Sequence, residues 1–139
     1  MSYHTGLPVN VVRNGSVHDY DGLRPNVLRD PNLSSSERRL QHYFDTAAFS
    51  AKGLSSNTIG NAGRNIVEGP AFADIDMALM KQIAVSESGR FEIRVEAFSV
   101  ANHANFAAPN GDLSQGNFGQ ITNTVGIPRI MQFACKYVF

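Results

Sequence analysis

The pattern of apolar and polar positions along the chain predicts an antiparallel β protein. Alternation with a period of two residues places successive side chains on opposite faces of a strand. Strands are predicted over about residues 7–12, 74–84, 90–101 and 129–139. The intervening segments are rich in Gly, Asn, Ser and Pro, which favour turns and loops. The predicted fold class is therefore all-β.

The last of these segments, from Ile130 to Phe139, has the clearest alternation. Its second face carries Gln132, Ala134 and Lys136. Its first face is apolar or aromatic throughout, with Met131, Phe133, Cys135, Tyr137 and Phe139. A ten-residue strand at about 3.3 Å per residue, tilted by roughly 45°, covers about 23 Å, which is close to the apolar band of an outer-membrane barrel.

The segment from Arg90 to Ala97 follows the same alternation, with one charged face and one apolar face. In the wall of a membrane barrel, charged side chains face the lumen and apolar side chains face lipid. The charges expected to face the lumen are Asp76, on the neighbouring predicted strand, Glu92, Arg94 and Glu96. The side chains expected to face lipid are Phe91, Ile93, Val95, Met131 and Cys135. The charges alone fit the solvated face of a soluble sheet equally well.

The connections between the predicted strands are very unequal in length. Residues 85–89 form a tight turn, whereas residues 13–72 and 102–128 form long loops. Outer-membrane barrels alternate short periplasmic turns with long extracellular loops. The order of short and long connections predicts that the final strand ends on the periplasmic side. The pattern favours a segment of a large transmembrane β-barrel over a soluble β-sandwich.

Composition narrows the classes of function. Twelve Lys plus Arg balance twelve Asp plus Glu, so no nucleic-acid partner is expected. Cys135 is the one cysteine, which excludes an internal disulfide and is best explained as a small apolar side chain. No run of eighteen apolar residues predicts a transmembrane helix. Residues 1–8 lack the basic and apolar regions of a secretory signal.

The chain offers little candidate chemistry. Asp19-Tyr20-Asp21-Gly22 is similar to the opening of a calcium loop, but the glycine comes too early and Asp30 stands where a Glu is expected. The Gly-rich residues 60–65 lack the Lys and Ser/Thr of a phosphate loop, so they are better explained as tight turns. The four histidines have no metal-ligand spacing. We expect no metal, no cofactor and no enzymatic activity.

Several short motifs resemble one family in their order and spacing, the Oar-like (carboxypeptidase-regulatory-like) TonB-dependent outer-membrane receptors. They cover nearly the whole chain, beginning near Gly6-Leu7-Pro8 and Arg24-Pro25-Asn26. The central and C-terminal motifs are Tyr43 to Phe49, Gly60 to Asn65, Gly69-Pro70, Asp74-Ile75-Asp76, Arg94 to Phe98, Asn102 to Phe106, and Pro128 to Phe139.

The resemblance implies the C-terminal part of a barrel of roughly 22 strands, with a plug and TonB-coupled uptake of a bulky ligand. The implied partners are outer-membrane lipid, the barrel assembly machinery, the rest of the barrel with its plug and, through segments outside this sequence, the TonB system. Phe133, Tyr137 and Phe139 resemble the C-terminal signal read by the assembly machinery. The implied location is the bacterial outer membrane. The alternative is a small soluble β-rich binding module.

Overall fold

The computed structural model describes residues 1–17, 20–87 and 89–139, and these confirm an all-β fold. One short 3-10 helix, Thr46–Ala48, is present among them. The strands are β1 (Ser2–His4), β2 (Pro8–Val9), β3 (Arg13–Val17), β4 (Tyr20–Leu23), β5 (Asn26–Val27), β6 (Phe49–Ser50), β7 (Val67–Glu68), β8 (Phe72–Asp74), β9 (Met77–Ala84), β10 (Arg90–Phe98), β11 (Asn105–Phe106), β12 (Thr124–Val125) and β13 (Ile130–Val138).

The chain divides into two compact units. The strand unit consists of residues 1–4, 72–105 and 125–139, and the loop unit consists of residues 5–71 and 106–124. The strand unit contains the three long strands of the fold. The loop unit contains most of the two segments predicted as long loops.

The strand unit is organised around an antiparallel sheet with the order β13-β10-β9. Phe91 lies opposite Tyr137 on one side and opposite Ile83 on the other. Both ladders continue without a shift in register, so residues opposite one another share a face of the sheet. The alternation in the sequence therefore gives the sheet one face that is almost wholly apolar and one mixed face that carries the charges.

The strands of this unit are shorter than the sequence pattern predicts. The segment predicted over residues 74–84 is interrupted between β8 and β9, where the Asp76 carboxylate accepts the backbone N–H of Ser99 at 3.0 Å. β10 ends at Phe98 because Ser99 and Asn102 have left-handed backbone conformations, with φ of 50° and 46°. Asp76 therefore precedes β9 instead of lying within a strand.

The loop unit has a hydrophobic core of its own. Its buried residues are Val9, Val11, Phe44, Ala48, Phe49, Ala62 and Val67. The rings of Phe44, Phe49 and Phe118 meet edge to face, with centroids 5.2 to 5.9 Å apart. This geometry is the one that aromatic side chains prefer. The segments predicted as loops thus fold into a packed body.

Short strand pairs frame this core: β2 with β7, β3 with β4, and β5 with β6. Of the strand predicted over residues 7–12, only Pro8–Val9 forms one. Val12 makes an isolated bridge with Asp112 instead, while Val9 and Val11 point into the core. Val9 and Val11 are thus alternately buried as the sequence predicts, but the segment pairs as a strand only at Pro8–Val9.

Candidate membrane-facing surface

One face of the sheet carries the side chains predicted to meet lipid. The register aligns the side chains of this face in four rows that run across the three strands. The apolar side chains in these rows are Met77, Leu79, Ile83, Phe91, Ile93, Val95, Ala97, Met131, Phe133, Cys135 and Tyr137. We call this set the apolar face. Leu79 is 70% exposed and Phe133 is 69% exposed. A contiguous exposed apolar patch of this kind marks a surface that contacts another apolar medium.

Aromatic rings gather at the end of this face that is nearest the tight turn. The rings of Phe91 and Tyr137 lie 4.9 Å apart, and those of Tyr137 and Phe139 lie 6.0 Å apart. Membrane barrels carry girdles of aromatic side chains where their apolar band meets water. The cluster is placed as such a girdle would be, at one edge of the apolar face.

The tight turn between β9 and β10 explains how Tyr137 is held. The N–H groups of Val85 and Ser86 donate to the carbonyl of Gly89, at 2.9 and 3.1 Å. The Tyr137 hydroxyl lies so close to Gly89 that an added Cβ would stand 2.3 Å from it. Glycine at this position lets the ring cover the backbone. Ser88, within the predicted turn, lies outside the described residues.

Lys81 is the one charged side chain on the apolar face as the described residues form it. It lies directly opposite Ile93, and its neighbours one row nearer the turn include Phe91. A lysine stem packs along apolar surface while its ammonium group extends to a polar layer. The two-residue spacing from Lys81 to Ile83 is about 6.6 Å along a strand, within reach of such a side chain.

The opposite face of the sheet carries Glu92, Arg94 and Glu96. Arg94 Nη2 lies 2.6 Å from Glu96 Oε1. Glu92 lies opposite Gln82 on β9 and Lys136 on β13. The structure thus brings these three predicted lumen-facing charges onto one face. The carboxylate of Asp76, by contrast, accepts a hydrogen bond from the backbone N–H of Ser99, just after β10.

Asparagine side chains hold the loop unit together through hydrogen bonds to its backbone. The sequence had indicated no role for them. Asn61 Oδ1 accepts the Val27 N–H at 2.7 Å, and Asn26 Oδ1 accepts the Asn61 N–H at 3.1 Å. Asn32 donates to the Ile66 carbonyl and accepts the Glu68 N–H, both at 2.9 Å. These amides replace strand ladders as partners for backbone groups. Their only signal in the sequence is the high Asn content of the loops.

Gly60 also helps to hold the loop unit together, because it lets its own backbone lie close to the backbone of Arg24 and Pro25. Its N–H donates to the Arg24 carbonyl at 2.8 Å. A Cβ built there would lie 2.2 Å from the Pro25 carbonyl oxygen. Ala62 is fully buried and donates its N–H to the same carbonyl of Pro25. The Gly-rich motif therefore lets two backbone segments touch.

Asp45 is an electrostatic anchor of the loop unit. Its Oδ2 lies 2.6 Å from Arg29 Nε, and its Oδ1 accepts the Ala47 N–H at the start of the 3-10 helix. The hydrogen bond from Arg29 lowers the pKa of this carboxyl below its ordinary value, against the opposing effect of burial. Within the motif Tyr43 to Phe49, Asp45 thus provides both the cap of the 3-10 helix and an ion pair.

A buried guanidinium lies elsewhere in the same unit. Arg13 is 6% exposed, and its Nη2 donates to the carbonyls of Ser55, at 2.7 Å, and Thr58. These contacts join the β3 segment to the loop that follows β6. Sequence reasoning missed this role, because nothing local marks Arg13 as buried.

The loop unit also has an open cleft of about 450 Å³. Its lining consists of Leu40, Phe106, Ile121, Thr122, Asn123 and Thr124. These described residues offer hydroxyl and amide groups beside apolar side chains.

No group of three or more His, Cys, Asp or Glu side chains is placed to hold a metal ion within residues 1–17, 20–87 and 89–139. The calcium-loop hypothesis depends on Asp19, which lies outside the described residues, as does His18. In the part of the chain that is described, no helix is long and apolar enough to cross a membrane.

Comparison with known proteins agrees with the geometry of the sheet. The chain matches the family described as "Outer membrane beta barrel domain" over residues 1–132, which is nearly all of its 139 residues. No curated protein and no solved structure matches it. The chain therefore belongs to the outer membrane beta barrel domain family, and its location is the bacterial outer membrane.

Proposed function

We propose that the chain is the C-terminal part of a TonB-dependent receptor of the Oar-like kind. In this proposal it supplies the last strands of the barrel wall and a folded extracellular body, and it has no catalytic role. The ordered motifs from Tyr43 to Phe139 support the receptor family. The plug and the TonB system act through other parts of the receptor, and a bulky ligand is taken up across the outer membrane.

The observation that carries the proposal is the apolar face. Three antiparallel strands expose large apolar side chains on one side and place charged ones on the other. In water, exposed apolar surface is unfavourable by about 25 cal/mol per Å². Acyl chains remove that penalty. A water-filled lumen, in turn, solvates Glu92, Arg94 and Glu96.

The loop unit supports the uptake part of the proposal. Long extracellular loops of transporters fold over the barrel mouth and carry binding surfaces. Here the loops have a core, an open cleft and many exposed Asn, Ser and Thr side chains. We propose that this unit makes the first contact with ligand on the extracellular side.

The single cysteine provides a direct test of lipid contact. A fluorescent label on Cys135 reports from the apolar face, and a label on Ala134→Cys in a Cys135→Ala background reports from the opposite face. In outer-membrane-derived vesicles doped with brominated phospholipid, we expect at least about threefold stronger quenching at position 135, since successive side chains of a strand point to opposite faces of the sheet. Equal quenching at both positions would contradict the proposal.

The alternative function is a small soluble β-rich binding module. The observation in its favour is the independent core of the loop unit, with Phe44 and Val67 almost fully buried. The labelling experiment separates the two functions, because a soluble module leaves both labelled positions unaffected by brominated lipid.

A further inference from the structure

Lys81 places a positive charge on a face whose other side chains are predicted to meet acyl chains. It lies opposite Ile93 on β10, and Cys135 lies opposite Ile93 on the other side. A lysine is costly in the middle of the apolar layer of a membrane and far less so near the interface. Ile93 is nearer to Gly89, in the turn, than to Ser99, which follows the other end of β10. The stem of Lys81 therefore extends towards the turn.

The ammonium group of Lys81 reaches the level of the aromatic rings. Ile83, the next residue of β9 on this face, lies opposite Phe91, and Tyr137 lies opposite Phe91 on the other side. Two residues along a strand cover about 6.6 Å, which an extended lysine stem spans. Aromatic girdles of membrane proteins lie at the level of the lipid head groups. The charge of Lys81 is therefore held where the head groups begin.

Two hydroxyl groups converge over the backbone of Gly89 at the same end of the face. A Cβ built at Gly89 would clash with both Tyr137 Oη and Ser86 Oγ, so the two oxygens lie over one spot. Ser86 Oγ accepts the Gly89 N–H at 2.9 Å, which leaves its own O–H to donate. The Tyr137 hydroxyl has no hydrogen-bond partner in the described part of the chain. Both hydroxyl groups can therefore donate to a single acceptor.

No carboxylate among the described residues neutralises Lys81. Lys81 forms no ion pair with them, and neither does Glu87, which lies exposed in the turn. Glu92 and Arg94 are the neighbours of Ile93 in sequence, so their side chains point to the opposite face of the sheet. An unpaired ammonium group beside two hydroxyl donors favours an anion with several acceptor oxygens.

A phosphate group fits these donors in charge and in size. Lysine binds phosphate as a point charge, and hydroxyl groups add directed hydrogen bonds. The Tyr137 hydroxyl lies over Gly89 at the start of β10, which is the strand next to β9. Neighbouring strands are about 4.8 Å apart, so the hydroxyl and the Lys81 stem are separated sideways by about that distance. Phosphate oxygens that accept hydrogen bonds of about 2.8 Å on each side bridge such a gap.

We propose that Lys81, Tyr137 and Ser86 bind the phosphate group of a phospholipid in the periplasmic leaflet of the outer membrane. Short turns of outer-membrane barrels lie on the periplasmic side, which places the turn after β9 at that leaflet. The acyl chains of the bound lipid lie along the apolar face. This proposal rests on the proposed lipid contact of the apolar face and not on TonB-coupled uptake.

Lipid titration of the full chain in non-ionic detergent micelles tests this site. Dilauroylphosphatidylglycerol is added, and the lipid bound to the protein is counted by native mass spectrometry. Lys81→Met removes the charge and keeps the length of the stem, and Tyr137→Phe removes the hydroxyl and keeps the ring. Lys136→Met makes the same change of charge on the opposite face of the sheet and is the matched control.

We expect the dissociation constant for the lipid to rise at least about tenfold in Lys81→Met and about threefold in Tyr137→Phe, because a charged donor binds phosphate more strongly than a neutral one. Lys136→Met should bind as the original chain does. Lys81→Arg keeps a cation at the site and should retain the lipid. Dilauroylglycerol, which has the same acyl chains and no phosphate, should bind equally to the original chain and to Lys81→Met.

Equal affinity of the original chain and Lys81→Met for the phospholipid would overturn the proposal. An equal loss in Lys136→Met would also overturn it, because the effect would then follow net charge and not this site. Displacement of the lipid by inorganic phosphate would identify a site for free anions instead. Quenching of a label at Cys135 is read separately in Lys81→Met, so failure of the lipid-contact proposal is distinguishable.

Discussion

Asp45 makes several structural contacts through its side chain and its backbone. Its two carboxylate oxygens serve the Arg29 guanidinium and the Ala47 N–H separately, and its own N–H donates to the Pro31 carbonyl at 2.8 Å. The ion pair is largely open to solvent on the Arg29 side, where the side chain is 57% exposed. Its contribution is therefore modest, about 0.5 kcal/mol for a pair of this kind.

This pair predicts a pH dependence of the loop unit. The pKa of Asp45 is lowered in the folded state by the hydrogen bond from Arg29. A lowered carboxyl pKa adds stability that is fully present above the unfolded value of about 3.9 and is lost as pH falls through the folded value. We expect protease resistance of the loop unit to fall in this acid range.

Asp45→Asn is the matched variant for the pH prediction. It keeps the amide oxygen that can accept the Ala47 N–H but has no charge to lose. The acid-dependent part of the protease resistance should therefore shrink in this variant. An unchanged pH profile would contradict the role assigned to the Arg29 pair.

At the scale of single elements, β13 is the strand whose properties follow most directly from its sequence. It pairs with β10 along its whole length, from Ile130 opposite Phe98 to Val138 opposite Arg90. Its far edge has no partner among the described residues. An edge strand with aromatic side chains on one face suits recognition by strand addition. We propose this role in barrel assembly for Phe133, Tyr137 and Phe139.

Phe139→Ala tests the proposed assembly role in the outer membrane. Phe139 is 93% exposed and contacts Tyr137, so its loss leaves no buried cavity. We expect at least about a tenfold drop in folded barrel in the outer membrane, since recognition by an edge strand depends on its aromatic anchors. The measurement is the fraction of heat-modifiable protein on gels. Val138→Ala, on the other face, should assemble normally, and equal loss in both variants would refute the signal.

At the scale of the whole chain, the two units differ in whether their large apolar side chains are buried or exposed. The loop unit buries Phe44, Phe49 and Val67 in its own core. The strand unit exposes large apolar side chains across a face of three strands. A protein of the membrane family needs this second arrangement, because lipid takes the place of a buried core.

This contrast predicts how the isolated chain behaves in solution. Its exposed apolar face and open strand edges favour association between copies. We expect aggregation in plain buffer and dispersed protein in detergent micelles, measured by light scattering and size-exclusion chromatography. Leu79→Lys, which adds a charge to the most exposed part of the apolar face, should raise solubility without detergent and lower membrane insertion. Gln82→Lys, on the opposite face, is the control.

A monodisperse chain that melts cooperatively in plain buffer would contradict the membrane assignment of this face. It would favour the soluble binding module instead. Aggregation that detergent does not relieve would also count against it, because a lipid-facing surface should be satisfied by acyl chains.

The sequence by itself determined the faces of the long strands. Side-chain direction alternates with every residue in a strand, so the order of charged and apolar residues in β10 and β13 was enough to predict which side chains lie together. The tight turn before Arg90 could also be predicted, because it is the short segment between two stretches of alternating residues. These features depend on neighbours in the chain.

The tertiary structure decided what the long loops do and where strands stop. Whether Val9 and Arg13 are buried depends on contacts with residues 40 or more positions away, which no local pattern encodes. Asp76 had the alternation of a strand residue, yet its carboxylate reaches Ser99, 23 positions along the chain. Local periodicity fixes the direction of a side chain, and only the folded chain fixes what it meets.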